Sequence, residues 1–90
     1  MTDIVITSAK RTPIGKFLGS LSNFSASELG KFAIDSVIEE CKLDKNTIDE
    51  VIMGQVLTGG AGQNPARQSS MLAGIPKEKS ALTVNQVCGS

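Results

Sequence analysis

The residues best suited to covalent chemistry stand together in Asn85-Gln86-Val87-Cys88-Gly89-Ser90, reached through the β-prone run Ala81-Leu82-Thr83-Val84. That order predicts a strand that delivers the Cys88 thiol to the mouth of the next turn or helix. At a helix start, a thiol meets the positive end of the dipole and backbone N–H groups without intrahelical partners, and both favour the thiolate. Gly89 has no Cβ, so a substrate carbonyl could approach the backbone closely. Cys88 is therefore the candidate nucleophile. Periodicity alone would equally allow a buried structural cysteine. Against that, open α/β sheets place their sites at the carboxyl ends of strands. Cys-Gly-Ser is also a poor core sequence, and Asn85 and Gln86 set polar side chains beside the thiol.

A base for the thiol is missing. The chain contains no His, Trp or Tyr, so the commonest partner of a catalytic cysteine is absent. The expectation is the nucleophile-bearing first part of a larger enzyme, inert without its acid–base groups. Other chemistries fail on spacing. Gly15-Lys16 lacks the preceding glycine and the following Ser or Thr of a phosphate-binding loop. In the glycine-rich stretch Thr58–Asn64, the place of a third dinucleotide-binding glycine after Gly60 and Gly62 is held by Pro65. That loop reads as a connection that lets something else approach. Cys41 and Cys88 offer no zinc spacing, so no metal is expected, and both are read as reduced thiols. Arg67 reads as one half of a surface ion pair.

Composition narrows the classes further. Hydrophobic residues make up 40% and charged residues 20%, ordinary values for a globular chain. Nine basic and nine acidic residues cancel, leaving neither a stripe for nucleic acid nor a polybasic patch for a membrane. No apolar run approaches the roughly 20 residues of a spanning helix. Met1-Thr2-Asp3-Ile4 places an acid where a signal peptide would be basic, so a cytoplasmic location is expected.

The positioning elements follow from pattern. Ile4-Val5-Ile6-Thr7-Ser8-Ala9 reads as a buried strand, and Pro13 and Gly15 punctuate the loop after it. Ser25-Ala26-Ser27-Glu28 is a capping box, with Phe24 and Leu29 spaced for a hydrophobic staple. A helix over about 26–42 should bury Leu29, Phe32, Ala33, Val37 and Cys41, with Ile34 and Ile38 widening the stripe. Asp44–Glu50 is turn-prone, enough for one helical turn. Val51–Leu57 reads as a second strand, apolar nearly throughout, as strands covered on both faces are. The first two strands should run parallel across the helix. Asn64 as N-cap, Pro65 at the first helical position and Gly74 at the end predict a second helix over about 65–73. A third strand at about 81–87 completes β-α-β-α-β, an α/β arrangement with a mainly parallel sheet.

Three blocks carry a family resemblance: Ile4 to Gly15, Gly62-Gln63-Asn64-Pro65-Ala66-Arg67-Gln68, and Asn85 to Ser90. Together and in this order they resemble the start of a thiolase, closest to its biosynthetic branch. The resemblance runs through residues 1–90 and makes them an incomplete N-terminal thiolase-type domain. It implies a ping-pong reaction in which Cys88 takes an acetyl group from acetyl-CoA as a thioester. The carbanion of a second acetyl-CoA then attacks that thioester, giving acetoacetyl-CoA. Coenzyme A thioesters are substrates here, and no further cofactor is implied. The Cys88 N–H is expected to help hold the oxyanion. The family's histidine (Gly-His-Pro), second cysteine (Cys-x-Gly) and asparagine (Asn-Glu-x-Phe) motifs are absent from this chain, and Cys41 has the wrong context for the second cysteine. The implied partners are the remainder of a thiolase and a second copy paired along residues 82–87, as a dimer or tetramer. Two other readings stay open: a truncated, non-catalytic fragment with a dimerisation or interaction role, and a decarboxylating ketoacyl synthase. The first and second blocks argue against the synthase.

Overall fold

A computed structural model describes residues 2–90. The best-formed part begins at helix α1, Ala26–Cys41. Its capping box closes as the sequence predicts: Glu28 N–H donates to Ser25 Oγ at 3.1 Å, and Ser25 N–H donates to Glu28 Oε1 at 3.2 Å. Two orphan donors of the first turn are thereby satisfied. The Phe24 ring meets Phe32 edge-on, with centroids 5.3 Å apart. Lys42 ends the helix in the left-handed region, and its N–H reaches back to the Glu39 and Ile38 carbonyls. A single 3-10 turn, Lys45–Thr47, follows where a turn was expected, capped by Asp44.

Strand β1, Glu50–Gly54, and strand β2, Ser80–Val84, form a parallel pair in register from Glu50↔Ser80 to Gly54↔Val84. Helix α2, Pro65–Leu72, is the crossover between them. Gly74 follows the Ala73 cap at φ 78°, a conformation that favours glycine. Both strands are shorter at their carboxyl ends than the sequence pattern predicts. β1 is also not covered on both faces: Val51 is buried, while Ile52 on the opposite face is exposed beside its exposed partner Leu82. Alternation, not a continuous apolar run, is the operative pattern, because both helices lie on one side.

The core is centred on Ile38, Val51, Ala73 and Ile75, with Ile34, Val37, Ile48 and Met53 packed around it. Where α1 meets α2 the contact is made of small residues. Ser27, Gly30, Ala66, Ser69 and Ser70 are all buried. Ser69 Oγ donates to the Ser27 carbonyl at 2.9 Å, and a Cβ on Gly30 would collide with Ser69 Oγ and lie 2.8 Å from Met53 Cε. Of the predicted apolar stripe of α1, Ile34, Val37 and Ile38 lie at the core, and two members depart from it. Phe32, expected in the core, is 39% exposed, and Cys41 is only partly buried, with its Sγ 3.5 Å from Thr7 Oγ1. Serine and glycine fill the closest approach because two helix backbones come nearer over small side chains than over aromatic ones.

The first predicted strand is a correction. Residues 4–9 form no strand, and Ile4, Val5 and Ile6 are 99%, 71% and 90% exposed. The physical reason is that β-propensity is worth only about 1 kcal/mol, and a strand needs a ladder and a covered face. The segment is tethered instead to the carboxyl end of α1, where Lys10 pairs with Glu40 and Cys41 meets Thr7. The α/β class and the parallel sheet hold, with two strands formed of the three expected. Among the described residues the second edge of β1 is unpaired. An apolar groove of about 240 Å³, lined by Ile34, Val37, Ile48 and Ile52, runs beside that strand.

Candidate active site

Cys88 stands four positions beyond the end of β2, on the carboxyl side of the parallel pair, and its side chain is exposed. The chain reaches it through a tied turn. Asn85 Nδ2 donates to the Val56 carbonyl at 3.0 Å, while Asn85 Oδ1 accepts from Val87 N–H at 2.9 Å. The Ser90 hydroxyl accepts from Gln86 N–H at 2.5 Å and donates to the Gln55 carbonyl at 3.1 Å. Gly89 N–H and Ser90 N–H bond to the Gln86 and Val87 carbonyls at 2.9 and 3.1 Å. Among the described residues, the Cys88 N–H has no acceptor.

Two backbone features set the aim of the thiol. Val87, immediately before Cys88, lies at φ 53°. For a β-branched residue that is a strained conformation, which the surrounding bonds must impose. Gly54, the last residue of β1, lies against the turn: a Cβ there would sit 2.6 Å from the Ser90 carbonyl oxygen and 2.8 Å from its Cβ. Gly89, expected to open space for a substrate, has Gln86 as its nearest neighbour, 3.3 Å from where a Cβ would be.

The glycine-rich loop is held rather than free. Gln68 Nε2 donates to the Ala61 and Gln63 carbonyls at 2.7 and 2.9 Å. Asn64 adopts φ 43° and caps α2 by accepting from Arg67 N–H at 3.2 Å. Thr83 of β2 joins that cap: its hydroxyl donates to Asn64 Oδ1 at 2.6 Å and accepts from Ala66 N–H at 3.0 Å. Among the described residues Arg67 makes no ion pair; its guanidinium donates to the Lys79 carbonyl at 2.7 Å. Between this loop and the start of α1 lies a cavity of about 300 Å³, lined by Ser25, Ser27, Gln55, Leu57, Gly60 and Gln68. Gln55 thus faces this cavity and also, through its carbonyl, anchors the turn that carries Cys88.

Two features of the site escaped the sequence reading, the close approach at Gly54 and the tie from Ser90 to Gln55. Gly54 did leave a signal, since glycine inside an apolar strand marks the close approach of another backbone. Among the described residues no group of three or more His, Cys, Asp or Glu side chains could hold a metal ion.

The site is thus a strand–helix–strand unit with a parallel register, followed by an exposed cysteine on a strained turn. The family model for the thiolase N-terminal domain matches residues 4–90, and the chain belongs to the thiolase family. It is 54% identical over 90 residues to a probable acetyl-CoA acetyltransferase of Escherichia coli K12. It is 53% identical over 90 residues to an acetyl-CoA acetyltransferase of Cupriavidus necator. Both alignments cover 100% of this chain and 23% of the relative, so the chain spans about a quarter of their length. Its fold is similar to that of Acat5 thiolase from Ascaris suum, whose crystal structure is a complex with coenzyme A. The TM-score is 0.86 at 42% identity, over 89% of this chain and 21% of that one.

Proposed function

We propose that this chain is the nucleophile-bearing part of an acetyl-CoA C-acetyltransferase, and that Cys88 is the nucleophile. The Cys88 thiolate attacks the carbonyl carbon of acetyl-CoA. The bond from that carbon to Cys88 sulfur forms, the bond to coenzyme A sulfur breaks, and the leaving thiolate takes a proton from an acid elsewhere in the protein. A second acetyl-CoA gives up an α-proton to a base elsewhere in the protein, its carbanion attacks the acetyl-enzyme carbonyl, and acetoacetyl-CoA leaves as the bond to Cys88 sulfur breaks and the thiolate is regenerated. Sulfur suits both halves, being a strong nucleophile when ionised and a good leaving group afterwards.

The observation that carries the reading is the placement of Cys88: exposed, past the carboxyl end of β2, with its own N–H uncommitted among the described residues. An N–H so placed can receive the developing oxyanion. The base, the second acid–base group and the coenzyme A grip are assigned to the remainder of the enzyme, since this chain has no His. The likeness to a thiolase solved with coenzyme A supports coenzyme A thioesters as substrates. The reading includes no further cofactor and a cytoplasmic location. It also includes a dimer or tetramer built on the outer edge of β2, which has β1 on one side only among the described residues.

The test is iodoacetamide labelling of the complete protein across pH, with peptide mapping, in the presence and absence of acetyl-CoA. Iodoacetamide should alkylate Cys88, and acetyl-CoA should protect it by acetylation. Equal labelling with and without acetyl-CoA would remove Cys88 from the nucleophile's place.

A further inference from the structure

The turn that holds Cys88 is over-determined. Val87 is β-branched and sits at φ 53°, a conformation such a residue avoids unless its surroundings impose it. Three ties hold it there. Asn85 Oδ1 takes the Val87 N–H, at 2.9 Å. Ser90 N–H closes on the Val87 carbonyl at 3.1 Å. The Ser90 hydroxyl bridges Gln86 N–H and the Gln55 carbonyl, one residue past the end of β1. The last tie alone reaches through a hydroxyl from the far side of Cys88 to the neighbouring strand. Space for it exists because Gly54 has no Cβ, and a methyl there would overlap the Ser90 backbone.

We propose that Ser90 is a positioning residue for the Cys88 thiol: with its backbone and Cβ seated against Gly54, its hydroxyl ties the turn to Gln55 just past β1 and fixes the direction of the Cys88 sulfur and N–H. This inference rests on the thiolase reading for its catalytic consequence but not for its geometry. Without the hydroxyl, Gln86 N–H and the Gln55 carbonyl lose their partner, and only the two ties inside the turn still oppose relaxation of Val87 to negative φ. The sulfur and the N–H that receives the oxyanion then move together. A misplacement of about 1 Å in an attacking group costs on the order of 100-fold in rate. Ser90 touches no reacting atom, so its effect should fall on the acylation step and not on substrate binding.

The experiment uses the complete protein with Ser90→Ala, Ser90→Thr and Gly54→Ala, and follows acetyl transfer from acetyl-CoA to Cys88 by quenched-flow and intact mass. Ser90→Ala should slow acetylation by about 10- to 100-fold, with the concentration dependence on acetyl-CoA within about twofold. Ser90→Thr, which keeps the hydroxyl, should recover most of the rate. Gly54→Ala keeps the hydroxyl but displaces it, and should reproduce the defect of Ser90→Ala; it also serves if Ser90→Ala does not fold. A wild-type rate in Ser90→Ala, or equal loss in Ser90→Ala and Ser90→Thr, would overturn the proposal. The crystal structure of Ser90→Ala supplies a readout independent of activity: Val87 should leave positive φ. If Val87 and Cys88 stay in place, the positioning role is wrong. Should the unsubstituted protein form no acetyl-Cys88, the thiolase reading fails, and this structural readout still decides the role of Ser90.

Discussion

Ile4-Val5-Ile6 and Val51-Ile52-Met53 are runs of nearly the same composition, and they end in opposite states. The second is β1, paired along its length with β2 and covered by both helices. The first lies extended with Ile4 99% exposed, held at Lys10 and Thr7 to the end of α1. Propensity is equal in the two; partners are not. A strand becomes stable when a neighbouring ladder and an apolar face arrive together, and the α2 crossover supplies both to β1. The overall dimensions carry the same difference. The longest extent is 45 Å against 25 and 24 Å for the other two, and the radius of gyration, 13.8 Å, exceeds the roughly 12 Å of a compact chain of this length.

The contrast can be broken most strongly on the packed side. In this 90-residue chain, Ile75→Ala removes a side chain that is 2% exposed, and should lower the unfolding free energy measured in urea by about 2–5 kcal/mol. Gly30→Val drives a branched side chain into Ser69 and Met53, and about 1–3 kcal/mol should be lost to overpacking in the same titration. Ser25→Ala removes the N-cap acceptor of α1, and a loss of about 0.5–2 kcal/mol is expected, seen also as fraying of the first turn by amide exchange. Ile6→Ala, on the unladdered run, should change the urea midpoint by no more than about 0.5 kcal/mol of stability. A loss there as large as that for Ile75→Ala would show that residues 4–9 are packed in solution and would erase the contrast.

The smallest effect belongs to the tether. The hydrogen bond and charge of Glu40 hold Lys10 above its ordinary pKa, and the hydrogen bond from Lys10 holds Glu40 below the usual carboxylate range. The depressed carboxyl contributes above its unfolded pKa and stops contributing as pH falls through its lowered one. The raised ammonium contributes below its unfolded pKa, and that contribution disappears as pH rises through the raised one. The tether is thus intact across neutral pH. Amide shifts of residues 7–11 should be flat there and move at both extremes, whereas those of β1 should not follow. Glu40→Gln should abolish the acid limb.

Much of the framework was legible in the residues. The capping box at Ser25 and Glu28, the Asn64-Pro65 start of α2 and the Gly74 end are local devices, each needing only a few neighbouring residues, and each is formed. The placement of Cys88 beyond a strand end was legible for the same reason. The packing face of α1 was legible only in part: Ile34, Val37 and Ile38 lie at the core as the pattern suggested. Its periodicity pointed to Phe32 and Cys41, but the closest contact runs through Ser27 and Gly30, because fitting two helix backbones together is a property of the pair. Arg67 likewise has a carbonyl as its partner, at Lys79, where the sequence offered several carboxylates. The ties of the Cys88 turn escaped because Gln55 and Ser90 are 35 positions apart.

The sequence by itself determined which segments could be helix or strand, the caps that start and stop them, the neutral charge balance, and the one cysteine set among polar neighbours. Those properties depend on side chains within a turn or two of one another. Tertiary structure alone decided which apolar runs became strands, which residues of α1 make its closest contact, and how Val87 is held at positive φ before Cys88. Each of these depends on groups brought together across the chain, where a missing Cβ at Gly54 or a hydroxyl at Ser90 acquires meaning only from what lies against it.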